Sequence, residues 1–263
     1  MISVLMAYHR RARQLMNTLD SYSEFYRPDE IEICMVEDYP DIGEPLGERI
    51  LRKYGFNYRY KLVDRRSKPW NNPAPLYNIA ARMASGKTLA LTNPENLHMG
   101  PVFTDAATRI SDNVYLVYAC ASIDFTPESL TDCRKNWNRP EFMTKIGAGR
   151  DGWYVHSRHY PRPLHFMSII TKEAYNRING FDEMYEDGYC YEDDDFAERV
   201  KANGLKIEFI DDPFVVHQFH QRNHHVTRCR DIDGLQRNRL LFEGKWKPRK
   251  PADTAKSVGE DGI

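Results

Sequence analysis

The chain has 263 residues, of which 41% are hydrophobic, enough for one substantial core at the upper end of single-domain size. Lys plus Arg (37) almost cancels Asp plus Glu (38), so no overall field recruits nucleic acid or an anionic membrane surface. No stretch approaches the ~18 apolar residues of a membrane span, the start does not read as a signal peptide, and the five cysteines lack CxxC or CxxH spacing; a soluble cytoplasmic protein with reduced thiols is expected.

In chain order, "ISVLMAY" is a continuous apolar run, the pattern of a strand covered on both faces, and it leads into a helix with Ala12, Leu15, Met16, Leu19 and Tyr22 at helical spacing. "IEICMVED" predicts a second strand, "GERILRKYG" a short helix ended by Gly55, and "YRYKLVDR" a third strand. "APLYNIAARMASG" predicts a helix closed by Gly86, and "KTLALT" a fourth strand. Strict alternation of strand and helix defines an α/β fold, a mostly parallel sheet with its ligand crevice at the carboxyl ends of the strands. "VYLVYACASID" is a fifth strand. The segment 125–165 has little periodicity but carries Trp137, Arg150, Trp153 and Tyr154, and a loop that long inside a compact domain reads as a functional lid. "HFMSIIT", "LKIEFI" and "PFVVHQF" read as strands, and "KEAYNRING" and "EDDDFAERVKANG" as helices stopped by Gly180 and Gly204. After a weak helical pattern, residues 244–263 read as a polar tail beyond a domain of residues 1–243.

Side chains just past strand ends face the crevice. Here they are His9, Arg10 and Arg11 after the first strand, Glu37 and Asp38 after the second, Asp64, Arg65 and Arg66 after the third, and Asn93, Glu95 and Asn96 after the fourth. Cations, acids and amides on one edge suit a phosphate-bearing ligand.

The run "EDDD" opens a helix, where carboxylates complement the helix dipole. Phe196 and Val200 fix the core stripe, which turns Glu192 and Asp193 inward and Asp194 and Asp195 outward, with Asp195 one turn before Arg199.

"VLMAYHRR", "MVEDYPD", "YNIAARMASGKTLALTNPEN" and "INGFDEMYEDGYCYEDDDFAERV" together resemble the GT-A glycosyltransferases, in particular the family 2 enzymes and the β-1,4-galactosyltransferase group. The resemblance covers about residues 2–220 and implies a Rossmann-like GT-A domain that inverts configuration, with a nucleotide-sugar donor, most simply a UDP-sugar, and a glycan hydroxyl as acceptor. It implies Asp193 as general base, Glu192 and Trp153 at the acceptor, and Tyr8, Arg10, Arg11, Asp38, Asn78 and Asn93 on the donor side. A divalent cation, Mn²⁺ by its donor set, is implied at Glu95 and His217, with His220 as the alternative. The chain departs from the family where Asn93-Pro94-Glu95 replaces Asp-x-Asp, which removes one charged ligand. Two other readings are a non-catalytic nucleotide-sugar binding module with a degenerate metal site, and an acceptor that is modified nucleic acid.

Overall fold

In this computed structural model the described residues are 1–39, 43–64, 72–122, 148–218, 220 and 228–246, with backbone alone at 148–151 and 228–232. Arg65, Arg66, Trp137, the Arg150 side chain and the expected tail from 247 onward lie outside them.

The predicted first half is realised closely. Strands β1 (Ile2–Tyr8) and β2 (Ile31–Asp38) are buried almost throughout, while β3 (Asn57–Val63) alternates exposed and half-buried positions as an edge strand does. Helix α1 (Ala12–Phe25) buries Leu15, Leu19 and Tyr22, and α2 (Gly47–Tyr54) ends at Gly55 in the left-handed conformation, φ 72°. Helix α3 (Ala74–Met83) stops with Ala84 extended, so Gly86 is not its cap. A Cβ at Gly86 would lie 2.7 Å from Ser3 Oγ and 2.8 Å from the Met1 carbonyl; the glycine is there for close approach to β1.

Strand β4 (Thr88–Thr92) is followed by a short strand β5 (Asn96–His98) and helix α4 (Val102–Arg109), neither foreseen from the periodicity. Then come β6 (Val114–Ser122), β7 (Ala148–Val155), β8 (Met167–Thr171), α5 (Lys172–Arg177), α6 (Glu192–Ala202), β9 (Lys206–His217) and α7 (Arg228–Trp246). Strand β7 lies inside the segment expected to be loop. The two expected last strands are one, β9, whose register against β6 shifts between Tyr118 and Cys120. Helix α7 continues to Trp246, past the expected boundary at 243.

The nine strands form one sheet in the order β3-β2-β1-β4-β8-β6-β9-β5, with β7 on β6. Pairing is parallel through β3-β2-β1-β4 and between β6 and β9, whereas β8 is inserted antiparallel between β4 and β6. That reversal sets the site. The carboxyl ends of β2, β4 and β9 reach the same edge as the amino end of β8, so Asp38, Asn93, His217 and the residues just before Met167 converge.

Candidate active site

The turn between β4 and β5 is closed by Asn96 N donating to Asn93 O (3.2 Å), and Gln218 N donates to Glu95 O (2.9 Å), tying the turn to the end of β9. Because Asn96 pairs with His217 across β5 and β9, the imidazole arrives beside Glu95. His217 Nε2 lies 3.5 Å and His220 Nε2 3.3 Å from Glu95 Oε1, and the three candidate ligand atoms lie within 4.8 Å of one another. Burial pushes the Glu95 carboxyl up, but the two imidazoles outweigh it and hold the group well below the usual carboxylate range. An ionised carboxylate and two imidazoles fit a first-row divalent cation. His220 thus joins His217 instead of replacing it. Asn93 Oδ1 accepts from the Tyr77 hydroxyl at 2.9 Å.

Adjacent positions on β7 face opposite sides of the sheet, which separates Trp153 from Tyr154. Trp153 packs on Phe214 (5.7 Å) beside the small cluster of Leu97, Met99 and Ala121. Tyr154 instead stacks on Phe166 at 4.9 Å, and both rings meet His217 edge-on at 5.2 and 5.5 Å. The aromatic wall beside the candidate cation cluster is therefore Tyr154 and Phe166, while Trp153, expected at the acceptor, packs on Phe214.

The four acids at the start of α6 have four different fates. Glu192 is buried and accepts from Asn72 Nδ2 at 2.7 Å; Asn72 Oδ1 in turn accepts from Ala74 N at the start of α3. Burial first, and the neighbouring Asp193 second, push the Glu192 carboxyl up to about 7. Asp193 Oδ1 faces His165 Nδ1 as an ion pair. Burial disfavours the charged imidazole, but Asp193 and then Glu192 prevail, and the His165 pKa is raised. Asp194 pairs with Arg162.

Asp195 overturns the expectation of an outward side chain. It is fully buried, 2.8 Å from Arg199 Nε, 2.7 Å from Lys245 Nζ and 2.8 Å from Trp246 Nε1. The helical wheel recorded only the core stripe of α6, whereas the end of α7 covers its flank.

Tyr77 links the two clusters. Its hydroxyl is directed at Thr92 O (3.0 Å) and Asn93 Oδ1, and its ring meets His165 at 4.9 Å. Burial first, then the charges of Asp193, Glu95 and Glu192, hold its phenol well above the usual range.

On the expected donor side, Arg10 is exposed with φ 52°, Arg11 caps α1, and Asp38 ends β2 with its carbonyl 3.3 Å from His9 Nδ1. Two of the expected residues there are engaged within the protein. Tyr8 is 1% exposed and packs beside Gly47, which leaves its side chain no surface for a ligand. Asn78 is saturated: Oδ1 accepts from Tyr175 Oη (2.7 Å) and Phe181 N (2.9 Å), while Nδ2 donates to Phe181 O (2.9 Å) and Glu183 Oε1 (2.8 Å). It clamps the "NGFD" turn. A Cβ at Gly180, φ 59°, would lie 2.5 Å from Asn78 Oδ1, so that turn requires glycine.

Sequence reasoning passed over His165 and Asn72. His165 could be placed at the crevice only by knowing that β8 runs backwards. Asn72 carries a signal of its own, an Asn-Pro at a helix start.

This sheet, with the acid-led helix and the carboxylate–imidazole cluster at one edge, defines the fold of the GT-A glycosyltransferases. The family model for the N-terminal domain of galactosyltransferase matches residues 157–225, the stretch that holds His165, the four acids and both cluster histidines. S. aureus TarS 1-349 in complex with UDP-GlcNAc is similar in structure, with TM-score 0.61, 16% identity, 85% of this chain and 60% of that chain covered. The mannosyltransferase PcManGT from Pyrobaculum calidifontis in complex with GDP-Man and Mn²⁺ is similar with TM-score 0.56, 17% identity, 91% of this chain and 63% of that chain covered. The chain therefore spans about 60% of the length of these solved relatives. No curated protein matches by sequence. Among the described residues, no helix is long and apolar enough to cross a membrane.

Proposed function

We propose that the chain is an inverting glycosyltransferase that moves a sugar from a nucleotide-sugar donor, a UDP-sugar first, to a hydroxyl of a glycan acceptor. The observation that carries this reading is that a candidate cation cluster and the acid pair Glu192 and Asp193 flank one tyrosine, Tyr77, at the carboxyl edge of a GT-A sheet.

In this reading Asp193 takes the proton of the acceptor hydroxyl as its oxygen attacks the anomeric carbon. The new glycosidic bond forms while the bond from that carbon to the diphosphate oxygen breaks, and the nucleoside diphosphate leaves with the electron pair. Glu192, held by Asn72, lies beside the base and would bind acceptor hydroxyls. Arg11 and Asp38, at the ends of β1 and β2, would meet the nucleotide. Tyr154 and Phe166 offer apolar ring faces to a sugar. Glu95, His217 and His220 would hold a divalent cation, Mn²⁺ by donor chemistry, which when bound neutralises charge on the diphosphate. The complexes of the two similar structures, one with UDP-GlcNAc and one with GDP-Man and Mn²⁺, support a nucleotide-sugar donor.

The test is binding and hydrolysis across UDP-, GDP- and dTDP-sugars with and without Mn²⁺. Binding of a UDP-sugar, strengthened by Mn²⁺, is expected. Failure to bind any donor would sink the reading, while turnover independent of metal would remove only the cation.

A further inference from the structure

We propose that His165 is a positioning residue for the base, fixing one oxygen of Asp193 and leaving the other to the acceptor hydroxyl. The inference rests on the glycosyl-transfer reading for the role of Asp193, and on the geometry alone for the pairing. Asp193 Oδ1 is buried and faces His165 Nδ1, whereas the Asp193 side chain as a whole keeps 26% exposure, which Oδ1 does not supply. One carboxylate oxygen is thus sequestered in the protein, and the exposure of the side chain lies in the rest of it.

A carboxylate in the first turn of a helix otherwise rotates freely about its last bond. A base needs a lone pair aimed at the hydroxyl, and misplacement by about 1 Å costs on the order of 100-fold in rate. His165 is able to set that aim because its own ring is fixed. It is almost completely buried and stands edge-on to Tyr77 (4.9 Å, 79°) and Phe181 (5.0 Å, 72°). Phe181 is held in turn, since its backbone N–H and C=O are both bound by the Asn78 amide at 2.9 Å. Tyr77 and Asn78 are neighbours on α3, so α3 orients the base on α6 through one imidazole. The ionisable groups facing His165 are Asp193 and Glu192 from α6 and Tyr77 from α3. Both acids favour a proton on the imidazole, which suits Nδ1 as the donor toward Asp193.

His165→Phe keeps the ring between Tyr77 and Phe181 and removes the donor. His165→Asn keeps a donor where Nδ1 stands, whereas His165→Gln carries one where Nε2 stands. We expect His165→Phe and His165→Gln to lose about 100-fold in kcat with donor Kd unchanged, and His165→Asn to recover about tenfold of that loss. If the phenylalanine variant does not fold, the Asn and Gln variants make the comparison between themselves. Wild-type kcat in His165→Gln, or equal slowing in the Asn and Gln variants, would overturn the proposal.

If the wild-type chain binds no donor, it is the transfer reading that has failed. The ¹⁵N-histidine spectrum then tests the pairing directly. Asp193→Asn must move the His165 Nδ1 resonance, and a resonance that stays in place refutes the pairing.

Discussion

Glu192→Gln should make the protein more stable at neutral and alkaline pH and leave it unchanged in acid. The Glu192 carboxyl is buried beside Asp193, and its pKa is pushed from 4.5 up to about 7. Between those values the folded chain binds more protons than the unfolded chain, so unfolding free energy falls as pH rises. The stability associated with the protonated acid is complete below about 4.5 and lost by the time pH has passed through about 7. A shift of that size corresponds to about 3 kcal/mol. Glutamine keeps an oxygen to accept from Asn72 Nδ2 and has no charge to bury. Urea unfolding of both proteins from pH 4 to pH 9 gives the answer. The raised imidazole of His165 tilts both curves in the same direction, less so in the variant because Glu192 is itself one cause of that shift. The two should coincide in acid and separate to about 3 kcal/mol above pH 8, with the variant the more stable. Curves that run parallel across the whole range would show that Glu192 is not held above its ordinary range, and the argument from burial would fail.

Asp193→Asn should lower transfer by about 10²- to 10⁴-fold while donor affinity, read by calorimetry, is unchanged; an active variant would move the base, to Glu192 first. Asp195→Ala should destabilise by about 3–5 kcal/mol in urea unfolding, because Arg199 and Lys245 lose the fully buried carboxylate they share. Glu95→Gln should weaken Mn²⁺ binding by more than about 100-fold in a calorimetric titration, since it removes the charged ligand between two imidazoles. Acidification should weaken Mn²⁺ binding by the native protein, because His217 and His220 ligate only when neutral. A wild-type affinity in the glutamine variant would place any cation elsewhere.

The alternating half of the fold was legible because each element carries its own period: β1 and β2 are continuous apolar runs, and α1 shows its stripe at helical spacing. Glu95 and His217 came from the family resemblance, and Glu95 also from its place just past a strand, where residues face the crevice. What was lost depends on strand direction and on contacts between distant segments. Strand β7 lacks a clear alternation, so nothing in the sequence said that Tyr154 and not Trp153 would stand beside His217. His165 precedes a strand, and a preceding residue reaches the crevice only if the strand is antiparallel, as β8 is. Asn78 and Gly180 lie a hundred residues apart in order of magnitude, and their mutual contact explains both better than either position did alone.

The four acids of α6 also show why a charge run at a helix start need not be either solvated or catalytic as a block. Successive side chains point about 100° apart, so four carboxylates in a row fan around the whole helix and meet different parts of the chain. Glu192 reaches the start of α3 through Asn72. Asp193 and Asp194 bind the segment leading into β8, through His165 and Arg162. Asp195 holds the end of α7 through Lys245 and Trp246. One turn of helix therefore fixes three segments against the crevice. Asp193 combines a buried oxygen facing His165 with a side chain that is partly exposed, an arrangement that suits a base. Its three neighbours keep the helix end in place, and without them the aim of that one carboxylate would be set by the fraying of a helix terminus.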